Sequence, residues 1–223
     1  MNKKIALISV ALTFLICGTA FTANAESKTS FDGLELKSKD NSKMVYMAPD
    51  ADFSQYGSIL LMEPDVRFKK NWQRDYNRKA STVNARVSDE KMLQMKQDMK
   101  TVFTEAFTEE FTRHDYPIVS QPAANTIVIR PALIDLDVSV PDVKSSFMSQ
   151  KATKHSGSAT LYLELYDGVS GDILARVAEN RFLGEGTNYS RASKTQNRAD
   201  AKYTISGWAR KLREFFDQAK ATK

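Results

Sequence analysis

The chain has 223 residues, with 32 Lys and Arg against 27 Asp and Glu, two His, one Cys and a formal net charge of +5. A length of this order suits one domain with a sizeable core. So mild a charge excludes a nucleic-acid partner held through a broad cationic surface, and a lone cysteine excludes an internal disulfide framework.

The start of the chain reads as an export signal. Lys3 and Lys4 precede an apolar run over 5–16, and small residues then lead to Ala23-Asn24-Ala25, an A-x-A match to a signal-peptidase site. A membrane-spanning helix needs about 20 apolar residues, which no later stretch supplies, so the mature chain is expected to have no transmembrane helix and to be periplasmic. Cys17 follows Ile16, whereas a lipoprotein signal carries a small residue there, and cleavage after Ala25 discards the cysteine. A lipid anchor through Cys17 is the alternative. Loss of Lys3 and Lys4 lowers the 32 basic residues to 30 against 27 acidic ones, a net of +3. The expected organisation is a signal peptide over 1–25, a polar N-terminal arm over 26–42 and a single domain over 43–223.

Within that domain, 44–47 reads as a short strand before the turn at Ala48-Pro49-Asp50, and 58–62 as a buried strand. Val66 and Phe68 alternate with charged neighbours, so the strand resumes after Pro64. A polar connection is expected over 69–87. Ser88 is placed to cap a helix, with Asp89 and Glu90 in its first turn. Met92, Met95, Met99, Val102, Phe103, Ala106, Phe107 and Phe111 then recur at helical spacing, until Pro117 enforces a stop. The run 126–138 is rich in Ile, Val and Leu, and its Pro131 marks an edge or a bulge. A serine-rich loop over 139–156 leads to alternation over 158–166, a hairpin turn from Asp167 to Asp172, and a return strand over 173–182. A closing helix over 197–218 carries Ala201, Ile205, Trp208, Ala209, Leu212, Phe215 and Phe216 on one face. The order β-α-β-β-β-α predicts an α+β fold. Its natural solution is a two-layer sandwich, a mixed or antiparallel sheet covered by two long helices.

Several segments carry a resemblance: Phe31-Asp32-Gly33-Leu34, the run from Ala48-Pro49-Asp50 to Gln55-Tyr56, Tyr116-Pro117-Ile118-Val119, the hairpin bounded by Tyr166-Asp167-Gly168 and Gly171-Asp172, and the helix bearing Trp208. With these the sequence resembles the proteobacterial family called domain of unknown function 3313, described as exported lipoproteins. The resemblance implies an envelope location and no known activity, so it carries over no catalytic residue. At Ile16-Cys17 the sequence departs from the lipoprotein pattern.

Chemistry-bearing constellations are sparse. His114 ends the long helix, where it serves as a cap to the dipole, and His155 lies in the serine-rich loop. Neither has a visible nucleophile beside it, and no G-x-S-x-G elbow occurs. Asp135 and Asp137 would share one face of a strand, but two carboxylates are a poor site for a hard cation. Asp167 and Asp172 bracket a turn that explains them. Gly184-Glu185-Gly186 lacks the spacing of a phosphate loop. No catalytic residue, metal site or cofactor is therefore expected.

The segment 67–79 stands out, with six basic residues against Asp75 and with Phe68, Trp72 and Tyr76 interleaved. Lys69, Lys70, Trp72, Arg74, Tyr76 and Arg78 are the candidate contacts for an anionic surface, since cations neutralise phosphates and Trp and Tyr suit interfaces. The alternative is a solvated connection whose aromatics pack on the sheet edge. Arg198, Lys202, Arg210, Lys211 and Arg213 are read as the exposed face of the closing helix. The function expected is a non-enzymatic binding or accessory module acting on envelope proteins or on an anionic envelope polymer or lipid surface. A hydrolase or transferase with a dispersed site, and an apolar-ligand carrier lined by Met92, Met95 and Met99, are the alternatives.

Overall fold

The computed structural model describes residues 29–139, 152–153, 156–184, 190–191 and 194–222. The expected signal peptide, Cys17, His155, Glu185, Gly186 and most of the serine-rich loop lie outside the described residues.

The fold is mixed α and β, with a seven-stranded sheet and three α-helices among the described residues. Strands β1 (Glu35–Lys39), β2 (Lys43–Met47), β3 (Ser58–Leu61) and β4 (Asp65–Phe68) come first, then helices α1 (Trp72–Lys79) and α2 (Asp89–Arg113). Strand β5 (Thr126–Val138), the two-residue β6 (Ala152–Thr153), β7 (Gly157–Asp167), β8 (Ile173–Leu183), the two-residue β9 (Ser190–Arg191) and α3 (Lys194–Ala221) complete the order. Two expectations are corrected. The order β-α-β-β-β-α allows one strand before the first helix, whereas four are present, β2, β3 and β4 being the strands read over 44–47, over 58–62 and after Pro64, and the stretch 69–87 contains α1 where a polar connection was expected. Part of the expected arm also forms β1, which pairs with β2 at the sheet edge.

The spatial order is β1-β2-β8-β7-β5-β3, with β4 sharing the outer edge of β5 beside β3. Both β3 and β4 run parallel to β5, while the other pairings are antiparallel. Pro131 sits in the middle of this sheet, not at an edge. The Ile129 carbonyl accepts from the Met62 N–H at 2.9 Å, so residues two apart on β5, Pro131 included, turn their backbone groups to the same side. There β3 has ended opposite Ile129 and β4 begins opposite Ala132. The proline thus falls where its neighbour is interrupted and a missing donor costs nothing.

Ile127, Ile129 and Leu133 point from β5 toward α2 and α3, and Leu161, Leu163 and Leu165 join them from β7 in one core. Strict alternation would next bury Asp135 and Asp137. Instead Asp135 takes a positive φ of 52° and the ladder shifts between Ile134 and Asp137, which is a β-bulge. The bulge inverts the alternation, so Leu136 and Val138 are buried and Asp135 is exposed. The two aspartates therefore do not share a regular strand face.

Helix α2 starts as its sequence dictates: the Ser88 hydroxyl accepts from the Lys91 N–H at 3.2 Å, and Asp89 and Glu90 occupy the first turn. Phe103, Phe107 and Phe111 are fully buried, as are Ile205, Ala209 and Phe216 of α3. The two helices run in the same direction, because Arg198 pairs with Glu105 at 2.7 Å and, one turn on, Lys202 pairs with Glu109 at 2.8 Å. Among the described residues, no helix is long and apolar enough to cross a membrane.

Candidate functional site: an apolar cleft beside a basic segment

The fully buried residues of α2 begin at Val102, and its first three turns lie along the edge of the core. Met92, Met95 and Met99 on those turns stay half-buried. A cleft of about 280 Å³ opens beside Met95 and Met99, lined also by Val102, Leu136, Val138 and Ala201. Leu136 and Val138 reach it only because the Asp135 bulge turns them inward. Lys91 and Asp98 of α2 and Asn197 and Arg198 of α3 also line it. Arg198 is shared with Glu105, at 2.7 Å.

The basic segment adjoins one wall of this cleft. Phe68 is in register with Leu136, and the Lys69 N–H donates to the Leu136 carbonyl at 3.1 Å. The Lys69 ammonium lies 3.4 Å from an Asp137 oxygen. Asn71 then adopts a left-handed φ of 63° and α1 begins. Asn77 and Gln73 tie α1 to the start of α2: the Asn77 amide donates to the Val87 carbonyl at 2.9 Å and its oxygen accepts from the Val87 N–H at 2.7 Å, while Gln73 donates to Asp89 at 2.8 Å.

The structure separates the six candidate contacts into two groups. Lys69, Lys70, Arg74 and Arg78 are exposed. Trp72 is only 6% exposed, 4.7 Å from the Phe68 ring and stacked on Tyr76 at 5.6 Å. The aromatics of the segment therefore face the core: Trp72 has no surface left for a partner, and burial raises the pKa of the half-buried Tyr76 hydroxyl. The spacing of Trp72 and Tyr76, four apart, was the available signal of a helical turn with one inward face.

A second cluster of charge lies on the opposite face of the sheet. The Glu164 carboxylate accepts from the hydroxyls of Tyr162 at 3.0 Å and Tyr166 at 2.7 Å, and pairs with Arg176 at 3.1 Å and Arg130 at 3.5 Å. Burial pushes its pKa up, but the donors Tyr166, Tyr162 and Arg176 outweigh that and hold it below the ordinary carboxylate value. Arg176 also reaches Asp32 at 2.5 Å, which clamps the residues before β1 onto the sheet. A carboxylate so fully engaged is a structural junction, not a proton carrier. At the end of α2, His114 Nδ1 lies 2.8 Å from the Glu110 carbonyl, a local cap. Among the described residues, no group of three or more His, Cys, Asp or Glu is placed to hold a metal ion.

The sequence stripe pointed to Met95 and Met99. It did not reveal their partners across the cleft, Leu136, Val138 and Ala201, because strand alternation on β5 runs the wrong way without the bulge.

The family model of a protein of unknown function, DUF3313, matches residues 25–212. The chain belongs to the DUF3313 family. That membership covers the sheet, the basic segment and the cleft alike. No curated protein matches the chain. Likenesses among solved structures are distant. The PelC dodecamer from Paraburkholderia phytofirmans is 12% identical, with a TM-score of 0.36, over 75% of this chain and 95% of that one. A DUF4136 family protein from Bacteroides thetaiotaomicron is 13% identical, with a TM-score of 0.34, over 80% of this chain and 98% of that one. A PDZ domain protein from Parabacteroides distasonis is 10% identical, with a TM-score of 0.38, over 77% of this chain and 35% of that one.

Proposed function

We propose that this DUF3313 member is an exported, non-catalytic envelope module that docks on an anionic envelope surface through Lys69, Lys70, Arg74 and Arg78. Export rests on Lys3, Lys4, the apolar run and Ala23-Asn24-Ala25, with cleavage after Ala25 and a periplasmic mature chain; acylation of Cys17 is the competing route to the envelope. The two-layer arrangement, sheet against the two long helices, serves as the platform. One observation carries the surface reading: α1 turns its aromatics into the core and its cations outward. Arg74 and Arg78 are thus displayed on a helix anchored by Trp72, Gln73 and Asn77, and Lys69 and Lys70 lie in the turn just before it. Preorganised cations of one sign attract anionic headgroups or polymers, and such contacts weaken as salt shortens the Debye length from about 10 Å at 0.1 M to about 3 Å at 1 M.

The test is co-sedimentation of the purified protein with vesicles containing phosphatidylglycerol, against vesicles of phosphatidylcholine alone. Binding to the anionic vesicles at low salt, lost at 1 M salt and lost in the quadruple variant Lys69→Gln, Lys70→Gln, Arg74→Gln, Arg78→Gln with its unfolding midpoint kept, is the expected result. Absence of binding at low salt overturns the reading, as does equal binding by the quadruple variant.

A further inference from the structure

We propose that the cavity between the end of β8 and α3 binds one anionic saccharide unit, a hydroxylated six-membered ring bearing a carboxylate or a phosphate, laid over Gly207.

Gly207 is the residue that points to a ligand. It stands in the middle of the 28-residue helix α3, where glycine is the poorest choice after proline. Its φ is not in the left-handed region that requires a glycine. Packing does not require one either: apart from the helix backbone and its chain neighbours, no described atom lies within 4 Å of where a Cβ would stand. The space left open belongs to a cavity of about 340 Å³. Tyr203 and Lys211 line it one turn before and one turn after, so this face of α3 carries an aromatic ring, a gap and a cation in succession. Arg181 and Phe182 line it from β8, past Glu179, where the pairing with β2 ends.

The sign of the ligand follows from how the cations are engaged. Arg181 and Lys211 converge on one oxygen of the buried Glu179, Oε1, at 2.5 and 3.3 Å, so a single carboxylate serves two cations. Arg181 uses only its Nε there, and its two terminal nitrogens have no partner among the described residues. The Arg210 side chain has no partner among them either. Glu214, the one acid in the lining, lies 3.5 Å from Arg213, which is not part of the lining. Three cations thus stand against Glu179 and Glu214, and the surplus sits on Arg210 and the free end of Arg181. Forked guanidinium donors suit a carboxylate or a phosphate.

The ring follows from the walls and the room. Tyr203 is 58% exposed and Phe182 49%, two aromatic rings against which the C–H face of a pyranose can pack. Glu214 accepts from hydroxyl donors, which a plain alkyl or aromatic acid lacks. The volume is about twice the ~150 Å³ that accepts a benzene ring, room for one substituted ring and not for two. None of this rests on the reading of the basic segment, because Lys69 to Arg78 follow β4, at the other side of the sheet from β2.

The test is calorimetric titration of the purified protein with glucuronate and glucose 6-phosphate, and with glucose, cyclohexanecarboxylate and inorganic phosphate as controls. Expected is saturable one-to-one binding of an anionic sugar, with each control about tenfold or more weaker, since each lacks either the charge or the hydroxylated ring. The tighter of the two sugars assigns the anionic group. Arg210→Gln should weaken the anionic sugar about tenfold or more and leave glucose as it was. Tyr203→Ala should weaken both. Gly207→Leu should block the cavity while its unfolding midpoint is kept or raised. The quadruple variant of the basic segment should bind the sugar undiminished.

Absence of saturable binding by either anionic sugar overturns the proposal, and that arm needs no variant to fold. Glucose as tight as the anionic sugars overturns the charge assignment. Inorganic phosphate as tight as glucose 6-phosphate, or cyclohexanecarboxylate as tight as glucuronate, overturns the ring assignment. Undiminished binding by a folded Gly207→Leu protein, or loss of binding in the folded quadruple variant, places the ligand elsewhere and overturns the site.

Discussion

The Tyr56 hydroxyl donates to Asp167 Oδ2 at 2.8 Å, joining the turn before β3 to the tip of the β7–β8 hairpin across 111 residues of sequence. The same carboxylate, through Oδ1, accepts from the N–H groups of Val169 at 2.8 Å and Ser170 at 2.7 Å, so one side chain closes the hairpin turn and anchors a distant tyrosine. The Ser170 N–H first, then the Tyr56 hydroxyl and the Val169 N–H, hold the Asp167 carboxyl below its ordinary pKa. Burial raises the pKa of the Tyr56 hydroxyl, which therefore stays a donor across the physiological range.

A depressed carboxyl pKa stabilises the fold above the unfolded value and loses that contribution as pH falls through the folded one. The expected outcome is a Tyr56→Phe protein about 1 kcal/mol less stable than the parent at pH 7. The unfolded chains titrate alike, so the difference should shrink only as pH falls below the ordinary carboxylate range and Asp167 protonates in the folded proteins. Denaturant unfolding at pH 7 and in steps into the acid range measures it. A penalty that stays constant over the whole acid range in which the parent remains folded and loses stability would show that the tyrosine acts by packing alone.

Phe107 of α2 and Trp208 of α3 are buried in the core, at 0% and 2% exposure, and Trp208 Nε1 is buried without a hydrogen-bond partner among the described residues. Truncation of either to alanine is expected to cost about 3–5 kcal/mol. Trp208→Phe should cost clearly less, because it keeps the ring against the sheet and removes an N–H that burial has stripped of water without return. Chemical denaturation of the three variants checks this. Equal losses for Trp208→Phe and Trp208→Ala would mean that the indole N–H is engaged after all.

Arg176 bridges Asp32 and Glu164 with its side chain only 15% exposed. Arg176→Met should release the residues before β1 and leave Glu164 to Arg130 and the two tyrosines. The expected loss is about 1–3 kcal/mol, the scale for charged groups deprived of a partner. The sharper readout is local: amide exchange at Leu34, which is 1% exposed in the fold, should quicken more than exchange at Leu163 in the sheet centre. Uniform quickening at both positions would mean that the arginine supports the whole fold and not this clamp.

How much of this could be read in advance depended on the range of the physics involved. The helix from Ser88, its stripe of Met, Val and Phe, the hairpin at Asp167 and the closing helix with Trp208 were legible because capping, periodicity and turn chemistry act over a few residues. Helix α1 was not. It lacks a side-chain cap at Asn71, and its only apolar positions, Trp72 and Tyr76, were equally compatible with an exposed aromatic surface.

The cleft shows the division most clearly. Sequence by itself determined that Met92, Met95 and Met99 lie on one face of a helix, and that Lys69, Lys70, Arg74 and Arg78 crowd into a short stretch. Only the tertiary structure decided that Met95 and Met99 overhang a cleft while Met92 rests against the core, and that Trp72 is a core residue. The decisive step was the bulge at Asp135, which turned Leu136 and Val138 inward and set Lys69 beside the cleft wall. A bulge is chosen by the pairing of one strand with its neighbours, here β5 against β7 and β4. Those partners are distant in sequence, and no local pattern around Asp135 encodes them.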